Sequence, residues 1–350
     1  MKDLNAALFG RLVKIAALDA NIAQAVRPHA PRWLVTNDAE KAALKGLRIR
    51  AARAGWGPLP SCCLLAAPGT AYFVVVSPVE ADLDSHGVIG SVLPDAGHRT
   101  FLWAQPGFPL SQDPQLPDTI IEFVLSREGA FEAAEIARFF ASCRVFELDS
   151  NVVALDSGSL SRLLGAWAGA AEVPLALPLG RGVLGKFKAC LDEAWCVPIA
   201  DILLRSMTSS HWEHAFIEAY RCLECLFPAP QIKALAGELG VAGDAALLRA
   251  TQRHLGWFPH EDEAVVKLMS EASDQVKGIQ RAVWGAHLEA QPDGPTVDAV
   301  AKAFYQFRCG LVHYRDRPGS GAGISVAGRW RDALGSVLDL IRDLFPKLQL

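Results

Sequence analysis

No uninterrupted apolar run in this 350-residue chain approaches the ~18 residues needed to cross a bilayer. The nearest, over residues 62–76, is broken by Pro68, Gly69 and Thr70. Charge of one sign is also lacking: the formal net charge is −4, which argues against a nucleic-acid coat or a polybasic membrane binder. Residues 1–26 carry charges throughout and read as an amphipathic helix, not a secretory leader. The eight cysteines are scattered and form no disulfide framework. Cys222 and Cys225 make a C-x-x-C, but no second ligand pair lies at zinc-binding spacing. A Walker loop is missing too, because GRGVLGK at 180–186 lacks its spacing and the Ser or Thr after the lysine. These absences predict a cytoplasmic protein with reduced thiols, no membrane association, no metal and no cofactor.

What is present is a chain that is 51% apolar and long enough for two domains with their own cores. Residues 1–165 read as an α+β recognition or regulatory domain. The first 50 are mostly helical. CCLLAA and AYFVVV around Pro68-Gly69 then suggest a hairpin, with further strands at 98–105, 120–126 and 144–155 and a helix at 130–142. Asp82, Asp84 and His86 sit close enough for a metal, though a solvated polar turn is the simpler reading; Trp56, Phe101 and Trp103 read as core. Residues 157–171 suggest a short helix. Prolines and glycines follow, so residues 166–204 are assigned to a connecting segment.

Residues 205–350 read as an all-α bundle. Ser210 and Glu213 fit a capping box opening a helix that stops before Pro228. Its buried stripe is Trp212, Phe216, Ala219, Leu223 and Leu226, and Glu218 and Arg221 fall on its far face. There they form either an ordinary i, i+3 pair or part of a groove. Two shorter helices follow, then one uninterrupted helix over 261–289, a break at 291–295, and a closing helix over 326–345.

Before that closing helix comes FYQFRCGLVHYRDR, residues 304–317. Phe304, Phe307, Leu311 and Tyr314 share one helical face and should pack inward. Arg308 falls at the edge of that stripe and His313 roughly opposite it. Between residues 302 and 331, Lys302, Arg308, Arg315, Arg317, Arg329 and Arg331 face only Asp316, a local excess of +5 that suits either phosphate or solvent. An arginine followed by a histidine after four to six residues also occurs at Arg205/His211, Arg249/His254, Arg253/His260 and Arg281/His287. Only Arg308/His313 lies on a late aromatic-striped helix with one helix after it.

This stretch resembles the active helix of the HEPN superfamily of all-α ribonucleases, most closely HEPN domains of bacterial defence proteins, including the ApeA-like group. The resemblance covers about residues 205–348. It implies a metal-independent endoribonuclease that acts as a homodimer on RNA, as an antiphage effector or growth-arresting toxin. A further defence-system subunit or a phage trigger would be its partner. It implies catalytic roles for Arg308 and His313, support from Glu218, Arg221, Cys309 and Tyr314, and RNA contacts from Lys302, Arg315 and Arg317. Cys309 departs from the family, many of whose members have Asn, Asp or His after the arginine. The alternative is a catalytically inactive HEPN-like module for dimerisation or partner binding.

Overall fold

The computed structural model describes residues 1–16, 31–113, 115–241, 244–285, 288, 294–313 and 329–348. It divides into two compact units, Met1–Val173 and Pro174–Leu350.

The first unit runs α1 (Lys2–Ala16), β1 (Arg32–Leu34), α2 (Asp38–Gly46), β2 (Arg48–Arg53), β3 (Cys62–Ala67), β4 (Thr70–Val75) and β5 (Val88–Val92). It continues through α3 (Ala96–Ala104), α4 (Leu116–Ile120) with a π-helical turn at Ile121–Leu125, β6 (Gly129–Phe131), α5 (Ala133–Ala137), β7 (Arg144–Leu148) and α6 (Ser157–Ala170). Five strands form an antiparallel sheet in the order β2-β3-β4-β7-β5, and β1 pairs with β6 in parallel. The expected hairpin is β3–β4, in register from Cys62↔Val75 to Ala67↔Thr70; Gly69, at φ +79°, takes the turn conformation that residues with a Cβ resist. Alternation along the strands divides the side chains between two faces. Leu65, Val74 and Val145 join Leu8, Leu12, Phe101 and Trp103 in one core. Leu64, Phe73 and Phe146 belong to the opposite face, and the almost wholly buried α6 packs on β2, β3 and β4.

Three expected elements differ. Residues 98–105, read as a strand from their aromatics, form α3, whose first turn is fixed by the Asp95 carboxylate accepting from His98 N at 2.7 Å. Residues 120–126 are helical, and 130–142 hold β6 and α5 instead of one helix. The Asp82–His86 stretch is a loop tied to α6, since buried Arg162 donates to Ser85 Oγ at 2.9 Å and to the His86 carbonyl at 2.7 Å.

The second unit runs α7 (Gly180–Leu191), a 3₁₀ turn (Ala194–Ile199), α8 (Ala200–Thr208), α9 (Trp212–Glu224), α10 (Ala229–Leu239), α11 (Asp244–Leu255), α12 (Glu261–Glu271), α13 (Asp274–Trp284), α14 (Val297–His313) and α15 (Trp330–Leu348). Residues 166–204, expected to connect domains, thus hold the end of α6, all of α7 and the start of α8. No strand occurs among the unit's described residues. The capping box is not formed: His211 is the N-cap of α9 and makes no side-chain cap bond. The single long helix over 261–289 is two helices, because the Asp343 carboxylate of α15 accepts from Ser273 N at 2.7 Å and restarts the chain there. Around α15 the unit is closed by an aromatic cluster centred on Phe216. Its ring lies 6.0 Å from Phe304, 5.0 Å from Phe307, 6.0 Å from Trp284 and 6.5 Å from Trp330. Such pairs add about 0.5–1.5 kcal/mol each beyond their buried area. They fix α14 against α9, α13 and α15. No described helix is long and apolar enough to cross a membrane.

Candidate functional site

Helix α14 carries the candidate pair. Phe304 is buried in the aromatic cluster and Phe307 is half-buried beside it, as the stripe requires. One position past Phe307, Arg308 is largely enclosed, its side chain 16% exposed. A guanidinium so placed needs anions or hydrogen bonds to offset its lost hydration. Two helices supply them. Glu224, the last residue of α9, accepts from Arg308 Nη2 at 2.8 Å, and Glu261, the first residue of α12, lies 3.4 Å from Nη1. The ring of Tyr220, one turn before Glu224, stands 5.5 Å from the guanidinium carbon.

The electrostatics of the cluster follow from this enclosure. Burial alone would lower the Arg308 pKa, but its hydrogen bond to Glu224 and the charges of Glu224 and Glu261 outweigh it and raise the pKa above the ordinary arginine value. Glu224 sits at the negative C-terminal end of α9, where a carboxylate is disfavoured, so Arg308 relieves that helix end as well. Burial pushes the Tyr220 phenol far above its usual range, and its hydroxyl and Arg308 Nε have no hydrogen-bond partner among the described residues. On the same helix a hydrogen bond with Cys309, then burial, pushes Tyr305 up to about 12. Cys309 therefore has the Tyr305 phenol as a neighbour.

The other expected site residues are arranged differently. Glu218 pairs with Arg221 and, at 3.2 Å, with Arg205 Nε of α8; Arg205 Nη1 also holds Asp201 at 2.8 Å. Neither Glu218 nor Arg221 makes a hydrogen bond or ion pair to Arg308 among the described residues. Glu218 lies six positions before Glu224, about 120° away around the axis of α9. Lys302 is exposed and bound to Asp298 at 2.9 Å, which raises its pKa. His313 ends α14, about 7.5 Å along the axis from Arg308 and about 140° around it. Its side chain, together with Tyr314, Arg315, Arg317 and the Gly-rich stretch after them, lies outside the described residues. Sequence reading missed Glu224, Glu261, Tyr220 and Tyr305. The available signal was an arginine beside an aromatic stripe, which demands acids from neighbouring helices.

The first unit offers a different kind of concavity, a cavity of about 260 Å³ with walls from Ala52, Cys63, Val74, Leu102 and Phe108. Arg11 holds its outer loop by donating to the carbonyls of Trp103, of Gln105 at 2.6 Å and of Phe108 at 2.6 Å. Burial pushes the Cys62 and Cys63 thiols up to about 12, so neither is a ready nucleophile. No group of three His, Cys, Asp or Glu among the described residues could hold a metal ion. No protein-family model matches the chain, and neither a curated protein nor a solved structure is significantly similar to it.

Proposed function

We propose that the helical unit is a HEPN-type, metal-independent endoribonuclease acting in the cytoplasm as a homodimer, with Arg308 and His313 as its working pair. The observation that carries this reading is the enclosure of Arg308. Residues from α9 and α12 converge to hold one guanidinium at a fixed point on the helix that ends at His313. Cleavage next to a 2′-hydroxyl needs a proton removed, a proton supplied to the leaving oxygen, and charge relief at phosphorus. A histidine titrating near neutrality serves the proton steps, and a permanently charged arginine serves the phosphate. Groups about 140° apart on one helix do not converge on one phosphate, whereas two copies of the helix facing across a symmetry axis present two such pairs to one groove. Dependence on the 2′-hydroxyl makes RNA the substrate. Glu224 and Glu261 hold the arginine in place and must yield it to phosphate. An antiphage or growth-arresting role, with a trigger or second subunit as partner, belongs to the same proposal.

A second reading has its own support. Arg308 is already matched by two carboxylates, an arrangement equally suited to fixing α14 against α9 and α12 in a non-catalytic dimerisation or partner-binding module. Incubating the purified protein with total RNA and tRNA in EDTA separates the two. The ribonuclease reading expects cleavage that is lost in His313→Ala, and the module reading expects none from the wild type.

A further inference from the structure

Residues of α10, α11 and α12 line a cavity of about 320 Å³ that shares no residue with the Arg308 cluster. Its apolar walls are Ile232 and Leu235 of α10, Leu255 at the end of α11, and Trp257 just after it. The end of α11 puts Trp257 there. Gly256, at φ +59°, reverses the chain, and Trp257 N donates to the Thr251 carbonyl at 3.4 Å. An apolar cavity of about 150 Å³ takes up benzene, so by proportion this one holds a group of about a dozen heavy atoms.

Gln231, Thr251 and Lys267 complete the lining. The Gln231 side-chain oxygen is buried and has no hydrogen-bond partner among the described residues. Such an acceptor is costly to leave alone, and an incoming N–H or O–H satisfies it. Buried Thr251 already donates its hydroxyl proton to the Leu248 carbonyl at 2.9 Å, which leaves its oxygen as a second acceptor. Lys267 of α12 supplies the charge. It is exposed and forms no ion pair among the described residues, although Glu263 and Glu271 lie one turn to either side.

These groups converge on one ligand chemistry. A flat apolar body suits Trp257 and the three aliphatic walls, a donor suits Gln231, and an anion suits Lys267. We propose that the cavity binds a small aromatic acid with a ring N–H, of about a dozen heavy atoms. A plain hydrocarbon would leave the Gln231 oxygen without a donor, and an anion with no aromatic body would leave the apolar walls wet. The site goes beyond the ribonuclease reading and stands whether or not the chain cuts RNA, because its test reads binding.

Equilibrium dialysis of the full chain against indole-3-carboxylate, which has that size, donor and charge, tests it. A ligand this small is expected to bind at about millimolar or tighter. Naphthalene-1-carboxylate keeps the charge without the donor and should bind about 5-fold more weakly; indole keeps the donor without the charge and should bind about 10-fold more weakly. Lys267→Gln, a change at an exposed position, should lower the affinity for indole-3-carboxylate about 10-fold and leave that for indole unchanged. Gln231→Leu should remove the preference for indole-3-carboxylate over naphthalene-1-carboxylate. Melting curves show that each variant is folded, and the lysine variant decides alone if Gln231→Leu does not fold. Absence of binding up to about 10 mM, equal affinity for the two carboxylates in the wild type, or unchanged affinity in folded Lys267→Gln would each overturn the proposal.

Discussion

Replacing Arg308 by methionine keeps much of the aliphatic stem and removes the charge, so it isolates what the ion cluster contributes. In the wild type the guanidinium lies 2.8 Å from Glu224 and 3.4 Å from Glu261, with side chains 16%, 30% and 45% exposed. Unit charges about 4 Å apart attract by about 4 kcal/mol at an effective dielectric of about 20. The exposure of Glu261 reduces its share, and desolvation of the arginine offsets part of the rest. The expected loss is about 2–3 kcal/mol, because the variant leaves two carboxylates facing Tyr220 with no cation. For a unit of this size that lowers the Tm by about 5–10 °C. Thermal unfolding gives the shift, and hydrogen exchange on α9 and α14 assigns it to the right unit. A double-mutant cycle with Glu224→Gln should return a coupling of about 1–2 kcal/mol. A Tm within about 1 °C of wild type and a coupling below about 0.5 kcal/mol would refute the cluster. The stability loss also means that any fall in activity in an Arg308 variant must be read against its Tm.

Cys309→Asn should fold normally and leave RNA cleavage unchanged or raised, since an amide can still pair with Tyr305; a large loss at unchanged Tm would give the thiol a role of its own. For Asp343, burial favours protonation, but the hydrogen bond from Lys347 and that from Ser273 N prevail and lower its pKa. That stabilisation is present above the unfolded value and is lost as pH falls through the folded one. Asp343→Ala should therefore cost about 1–2 kcal/mol at neutral pH, and the gap from wild type should shrink below about pH 4 in melting curves. The thiols work in the other direction. Cys62 and Cys63 keep their protons in the fold up to about 12 but ionise near the ordinary 9.0 when unfolded, so the Tm should fall as pH rises above about 9. A Tm that stays level or rises there would contradict their burial.

The legible parts of the fold are those whose cause is local. Pro68-Gly69 between two apolar runs specifies the β3–β4 hairpin, and the aromatic spacing of 304–311 specifies which side of α14 meets the core. Where a distant residue decides, sequence pattern failed. The break between α12 and α13 depends on Asp343, which binds Ser273 N from α15. Aromatics at 101 and 103 suggested a strand, yet Asp95 starts a helix there and the core takes both rings. The candidate site divides in the same way. Arg308 stood out on its own helix, but Glu224 lies 84 residues away in sequence and looked like one more acid on a helix end. Glu218 was selected instead because it shares a far face with Arg221, a relation that holds within α9 and leads to Arg205 rather than to α14.

Whether the helix ending at His313 cuts RNA is read directly from single-turnover cleavage of total RNA and tRNA in EDTA. The wild type is compared with His313→Ala, and His254→Ala on α11 is the spacing-matched control. Metal-independent cleavage is expected from the wild type and from His254→Ala, with a fall of at least about 100-fold in a folded His313→Ala protein, the scale of losing a positioned acid or base. Cleavage by His313→Ala at the wild-type rate, or no cleavage by the wild type, would contradict the ribonuclease reading.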